Sequence, residues 1–116
     1  MRTILTPIAV IILALTVTAC SAVPPVGDMP ESIAGATTKQ DHLRIADYFA
    51  KKAASYEAES KLHGKMPQAY MGRPKYDSAT MGAHCRALQN QLSAAAQEAK
   101  ALERAHRELA AAAETP

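Results

Sequence analysis

The chain predicts an all-α fold, an antiparallel hairpin of two long helices. Three observations carry this. Two stretches, about 37–63 and about 78–113, place apolar or small residues at helical spacing. A segment carrying Gly64, Pro67, Gly72 and Pro74 separates them, and no stretch alternates with the period of a strand. Ala, Leu, Glu, Lys, Gln and Arg, the strong helix formers, dominate the second stretch.

Residues 1–19 read as an export signal. Met1 and Arg2 give a short positive start, and Ile4 to Val17 is an almost wholly apolar run of about 14 residues, short for a bilayer span. Small residues follow, and the run closes on Val17-Thr18-Ala19-Cys20. That tetrapeptide resembles the lipobox of bacterial lipoproteins. The resemblance implies that the signal is removed before Cys20, that the Cys20 thiol is diacylated, and that its new amine is acylated. An ordinary signal peptide ending near a cysteine, or an uncleaved anchor, are the alternatives. Ser21, rather than Asp, follows the cysteine. Within that family this implies the outer membrane of a two-membrane envelope, with the protein on the periplasmic face. One acyl chain binds a membrane only marginally, and two or three hold permanently.

Removing residues 1–19 from the 116-residue chain leaves about 97, enough for one small domain. Of the 13 basic residues only Arg2 goes with them, so basic and acidic side chains nearly balance. Balance of this kind argues against a nucleic-acid binder, which would show a basic stripe, and against a polybasic membrane-surface helix. With no Trp and one Phe, any core is thin and built mostly from Ala and Leu.

Residues 20–36 hold Pro24, Pro25, Pro30, Gly27 and Gly35 and show no helical period, which predicts a tether. The first helix is expected to begin at a capping box, either Thr37 with Gln40 or Thr38 with Asp41, and to stop at Gly64 and Pro67. Its inner stripe is His42, Ile45, Ala46, Phe49, Ala50, Ala53, Tyr56, Ser60 and His63. A loop over about 64–77 follows, in which Tyr70, Tyr76 and Arg73-Pro74-Lys75 form a possible contact patch. Asp77 or Ser78 is the expected cap of the second helix. That helix is expected to face inward with Met81, His84, Leu88, Leu92, Ala95, Ala99, Leu102, His106 and Leu109. Cys85 falls at the edge of this stripe, and Arg86, Gln89 and Ser93 fall outside it.

The four histidines are spaced by 21, 21 and 22 residues, which keeps them on the seam. Folding the chain about residue 74 sets His63 against His84 and Cys85 at the tip, and His42 against His106 at the open end. Met66 and Met81 lie about one turn from the first group. Imidazole, thiolate and thioether suit copper and, to a lesser degree, zinc, so His63, His84, Cys85, Met66 and Met81 are a candidate metal site, with His42 and His106 as a second pair. Equally, the histidines can be seam residues that fix register, and the methionines gap fillers. Cys85 is open to three roles: an inert thiol, a disulfide to another chain, or a ligand.

The helical part, from His84-Cys85-Arg86-Ala87-Leu88 through His106-Arg107-Glu108-Leu109-Ala110, resembles small uncharacterised proteobacterial exported proteins, a resemblance that brings no assigned activity. Murein lipoprotein, one long helix ending in a wall-linked lysine, differs: this chain breaks between Pro67 and Pro74 and ends Thr115-Pro116. No catalytic triad or nucleotide fingerprint appears, so the reading is a non-enzymatic, lipid-anchored structural or protein-interaction lipoprotein, with soft-metal binding as the alternative. The expected partners are the membrane and an envelope protein. A two-hairpin homodimer is also expected, meeting through Ile45, Phe49, Leu88 and Leu102.

Overall fold

A computed structural model describes residues 28–113. The signal, Cys20 and most of the tether lie outside the described residues. Three helices appear: α1 (Met29–Ala34), α2 (Lys39–Tyr70) and α3 (Ser78–Ala112). The two long ones, roughly 48 and 52 Å at 1.5 Å per residue, pack antiparallel along nearly their whole length, the hairpin expected.

The segment read as part of a structureless tether contains α1, a correction to the expectation for 20–36. Pro30 lies in its first turn, where its missing N–H removes no intrahelical bond, and Glu31 sits at the positive end of the dipole. Gly35 ends it, its N–H donating to the Glu31 carbonyl at 2.9 Å. Six residues are too few to stand alone, and α1 rests against α2.

At the start of α2 the second of the two predicted boxes forms. The Asp41 amide donates to Thr38 Oγ1 at 3.1 Å, and the Thr38 amide donates to Asp41 Oδ2 at 3.0 Å. Thr37 N–H and the Thr38 hydroxyl also donate to Oδ2, and Arg44 donates to Oδ1. These donors, the Thr38 hydroxyl foremost, hold the Asp41 carboxyl down at about 2.

The expected stop at Gly64 and Pro67 is not where α2 ends; it runs on to Tyr70. Pro67 lies inside this last stretch, where its missing N–H takes away the i→i−4 donor to the His63 carbonyl, and the helix continues for one further turn. Gly64 stays helical because α3 closes on it: a Cβ there would fall 2.8 Å from Gln89 Nε2. The break comes at Gly72, whose φ of 73° is the left-handed conformation that Gly adopts at no steric cost. Residues 71–77 form the tip, where the Tyr70 and Tyr76 rings meet edge to face at 5.8 Å. Asp77 caps α3, its Oδ1 accepting the Ala79 and Thr80 amides and its Oδ2 the Thr80 hydroxyl.

The hairpin register agrees with folding about residue 74. His42 meets His106, the Ser60 hydroxyl donates to the Gln89 carbonyl at 3.0 Å, and Pro67 lies against Gly82. Facing positions therefore add to 148 or 149. Along α2 the covered positions His42, Ala46, Phe49, Ala53, Tyr56, Ser60, His63 and Pro67 step by four and three residues. Gly82, Cys85, Gln89, Leu92, Ala96, Ala99, Glu103, His106 and Ala110 do the same along α3. This is the knobs-into-holes repeat of a coiled coil.

The α3 face is rotated from the expected one. Met81, His84, Leu88, Leu102 and Leu109, predicted inside, are exposed, while Cys85 is buried and Gln89 partly covered. The reason is close approach. Gly82, Ala96, Ala99 and Ala110 let the two backbones come near each other, and more atoms then gain dispersion contact along the seam than leucines holding the axes apart would give. Ile45, expected in a contact between hairpins, is instead the one large side chain fully buried within the hairpin, at 2% exposure.

Candidate functional site

The rotation gives the hairpin two unlike edges. On one, Lys100 pairs with Glu57 and Arg107 with Asp47 across the seam, beside a shallow groove of about 220 Å³ lined by Glu57, Ser60, Lys61, Ser93 and Gln97. Lys100 holds the Glu57 carboxyl below its ordinary value, and the Glu103 hydrogen bond raises Arg107. These pairs are substantially exposed, so each is worth little to stability.

The other edge is apolar and aromatic. A groove of about 170 Å³ is lined by Tyr48, Phe49, Lys52, Tyr56, Ala99 and Leu102. Tyr48 and Phe49 meet edge to face at 5.2 Å, and the Lys52 ammonium lies 5.9 and 6.0 Å from the Tyr48 and Tyr56 ring centres. Sequence reasoning named Phe49, Leu88 and Leu102 as an outer contact but missed Tyr48 and Lys52 and the separation of this edge from the seam. The signal was present in the seven-residue repeat of Met81, Leu88, Ala95, Leu102 and Leu109, which the expected inner face merged with the true seam.

At the open end of the seam His42 Nδ1 and His106 Nδ1 are 3.2 Å apart, the pairing expected from the spacing. Turns near the start of α2 and the end of α3 set them opposite each other, and Phe49 stacks on the His106 ring with centroids 6.1 Å apart. His106 is only 8% exposed. Burial, then the proximity of His42, pushes its imidazole below the ordinary 6.5. One ring must carry its proton on Nδ1 and donate to the bare Nδ1 of the other; with both nitrogens protonated the contact is repulsive.

At the tip the predicted set does not assemble. Cys85 is buried in the seam, its neighbour His84 points to solvent and Met81 is exposed, because adjacent residues on a helix lie 100° apart. Of that set His63, opposite Cys85 in the register, and Met66 remain partly covered. His63 Nδ1 is enclosed with no hydrogen-bond partner. Among the described residues no three His, Cys, Asp or Glu side chains converge on one point. No described helix is long and apolar enough to cross a membrane.

No protein-family model, curated protein or solved structure matches this chain.

Proposed function

We propose that this protein is a lipid-anchored structural or protein-interaction hairpin on the periplasmic face of a bacterial outer membrane, without enzymatic activity. Its working part is the apolar edge. The observation that carries the reading is the division of the hairpin: the cross-seam ion pairs Glu57–Lys100 and Asp47–Arg107 fall on one edge, leaving Tyr48, Phe49, Tyr56 and Leu102 on the other, part-exposed, with the Lys52 ammonium over the two tyrosine rings and no ion pair across the seam there among the described residues. An apolar strip of this kind, rimmed by polar residues, is what a docking surface requires. The Val17-Thr18-Ala19-Cys20 pattern supports the anchor. The test is metabolic labelling with palmitate followed by membrane fractionation. The full chain should take up label and sediment with the outer membrane. Cys20→Ala should lose both, and an unchanged distribution would sink the anchored reading.

A second reading, soft-metal binding, is favoured by one observation, and it moves from the tip to the open end. Two nitrogens bound to one tetrahedral ion at about 2.0–2.1 Å lie roughly 3.3 Å apart, close to the 3.2 Å between His42 and His106. Zinc and copper(I) titrations of the protein and of His42→Ala decide it. One-to-one binding lost in the variant supports the site; equal binding in both removes it.

A further inference from the structure

We propose that the apolar edge is occupied by a second copy of this chain, α3 against α3, antiparallel, with the two-fold axis passing at Ala95. This deepens the interaction reading and stands independently of the lipid anchor.

The stripe Met81, Leu88, Ala95, Leu102, Leu109 keeps a spacing of seven residues without interruption, and its four large members are between 38 and 48% exposed. A seven-residue repeat is a coiled-coil seam, and α2 covers only its inner side, since α2 packs chiefly on the adjacent stripe of Cys85, Leu92, Ala99 and His106. The stripe is symmetric about its centre. Turned end over end about Ala95, Leu88 faces Leu102 of the other copy, Met81 faces Leu109, and the small Ala95 meets itself where the axes cross. That is the isologous pattern a two-fold interface demands. A neighbouring partner of another sequence would have no reason to match that centre.

Charge agrees. The outer flank of the stripe is His84, Gln91, Glu98 and Ala105, with one formal charge. In antiparallel pairing, flank faces like flank, so Glu98 meets Gln91 of the other copy and no like charges are apposed. The Lys52 ammonium is folded over the Tyr48 and Tyr56 rings, so its stem adds apolar cover rather than a bare charge in the groove. Area agrees as well. Met81 to Leu109 spans about 42 Å at 1.5 Å per residue and a helix is about 10 Å across, so the α3 stripe itself offers about 400 Å², and the Tyr48, Phe49 and Tyr56 side of the groove on α2 supplies the rest of the contact. About 800 Å² per partner is the standard size of a specific interface.

The register is tested by cysteine crosslinking of the full chain in cells, in a Cys85→Ala background. The parent background shows what Cys20 alone contributes. Ala95→Cys should give an oxidant-dependent dimer above that parent level, because only residues near the axis meet their own copies. Leu88→Cys should not crosslink to itself, its copies being about 21 Å apart along the helix, far beyond the reach of a disulfide. Co-expressed Leu88→Cys and Leu102→Cys chains, distinguished by tags, should crosslink to each other. A Leu88→Glu/Leu102→Glu chain should keep its helical circular dichroism and lose the Ala95→Cys dimer. No dimer from Ala95→Cys overturns the proposal, as does self-crosslinking of Leu88→Cys at the same level, which would mean parallel pairing. So does retention of the dimer by the double Glu variant. Dimers in a Cys20→Ala chain would separate the two readings: the interface stands even where anchoring fails. Binding of the uncrosslinked protein to phosphatidylglycerol vesicles through this edge would assign it to lipid and also overturn the proposal.

Discussion

The two ends of the seam follow one repeat and differ in what fills it. At the open end Ile45 is fully buried, Phe49 stacks on His106, and the buried His106 imidazole is met by that of the partly covered His42. Toward the tip the positions are Gly64, Pro67, Gly82 and Cys85, and His63 holds a nitrogen that nothing meets. The backbone geometry is common to both ends, so the difference lies in side-chain volume and polar pairing. It teaches that a heptad repeat guarantees contact but not equal stability. The tip is therefore expected to open before the open end, which faster hydrogen exchange around residues 60–70 than around 42–50 would show.

That contrast can be broken most severely at Ile45. Ile45→Ala removes the one large fully buried side chain and leaves a cavity, an expected loss of about 2–5 kcal/mol in urea unfolding at fixed protein concentration. Cys85→Ala, at the tip, should cost less than half as much in the same measurement.

Next in size is the imidazole pair. His42→Ala strips His106 of its partner inside the seam, and leaving a buried polar atom unmet costs about 1–3 kcal/mol. Here pH gives an independent handle. The folded value of His106 lies below its ordinary 6.5, so the unfolded chain takes up more protons than the folded one. Stability should therefore be complete above about pH 6.5 and fall as the pH drops through the window below it. A melting series at several pH values should show this fall, and it should flatten in His106→Leu.

A change of opposite sign is expected at His63. His63→Leu removes an enclosed nitrogen with no partner and keeps the volume, so the melting temperature should rise, by an amount worth about 1 kcal/mol. A fall instead would mean that the His63 ring makes a polar contact that stabilises the fold.

The smallest effect is at Gly64. Gly64→Ala gains about 1 kcal/mol of helix propensity, set against displacement of the flexible end of Gln89, which a Cβ would approach to 2.8 Å. The net change should stay under about 1 kcal/mol, and hydrogen exchange should slow around residues 60–68 if propensity wins.

Most of the architecture was legible in the residues. The helical period, the Thr38–Asp41 box, the Asp77 cap and the register about residue 74 depend on neighbours in sequence or on the length of the loop, and the structure agrees with each. The pairing of His42 with His106 followed from that register alone. The helix boundary at Gly64 was misread because propensity says nothing of the helix closing over it, and the real break needed a positive φ that, among the described residues, only Gly72 adopts. The metal set at the tip was misread for a related reason: His84 and Cys85 are adjacent in sequence, yet one faces water and the other the seam.

By itself, then, the sequence determined that there are two long helices, how they are capped, where the chain turns back and which residues stand level with one another, since all of these are local or are set by counting along the chain. Only the tertiary structure decided which of two adjacent stripes on α3 faces α2. Leu88, Leu102 and Leu109 are the more hydrophobic choice, but hydrophobicity read from a sequence carries no distance. Once Gly82, Ala96, Ala99 and Ala110 allow the axes to close, dispersion along the whole seam outweighs the larger side chains, and the leucines are left outside as a second surface.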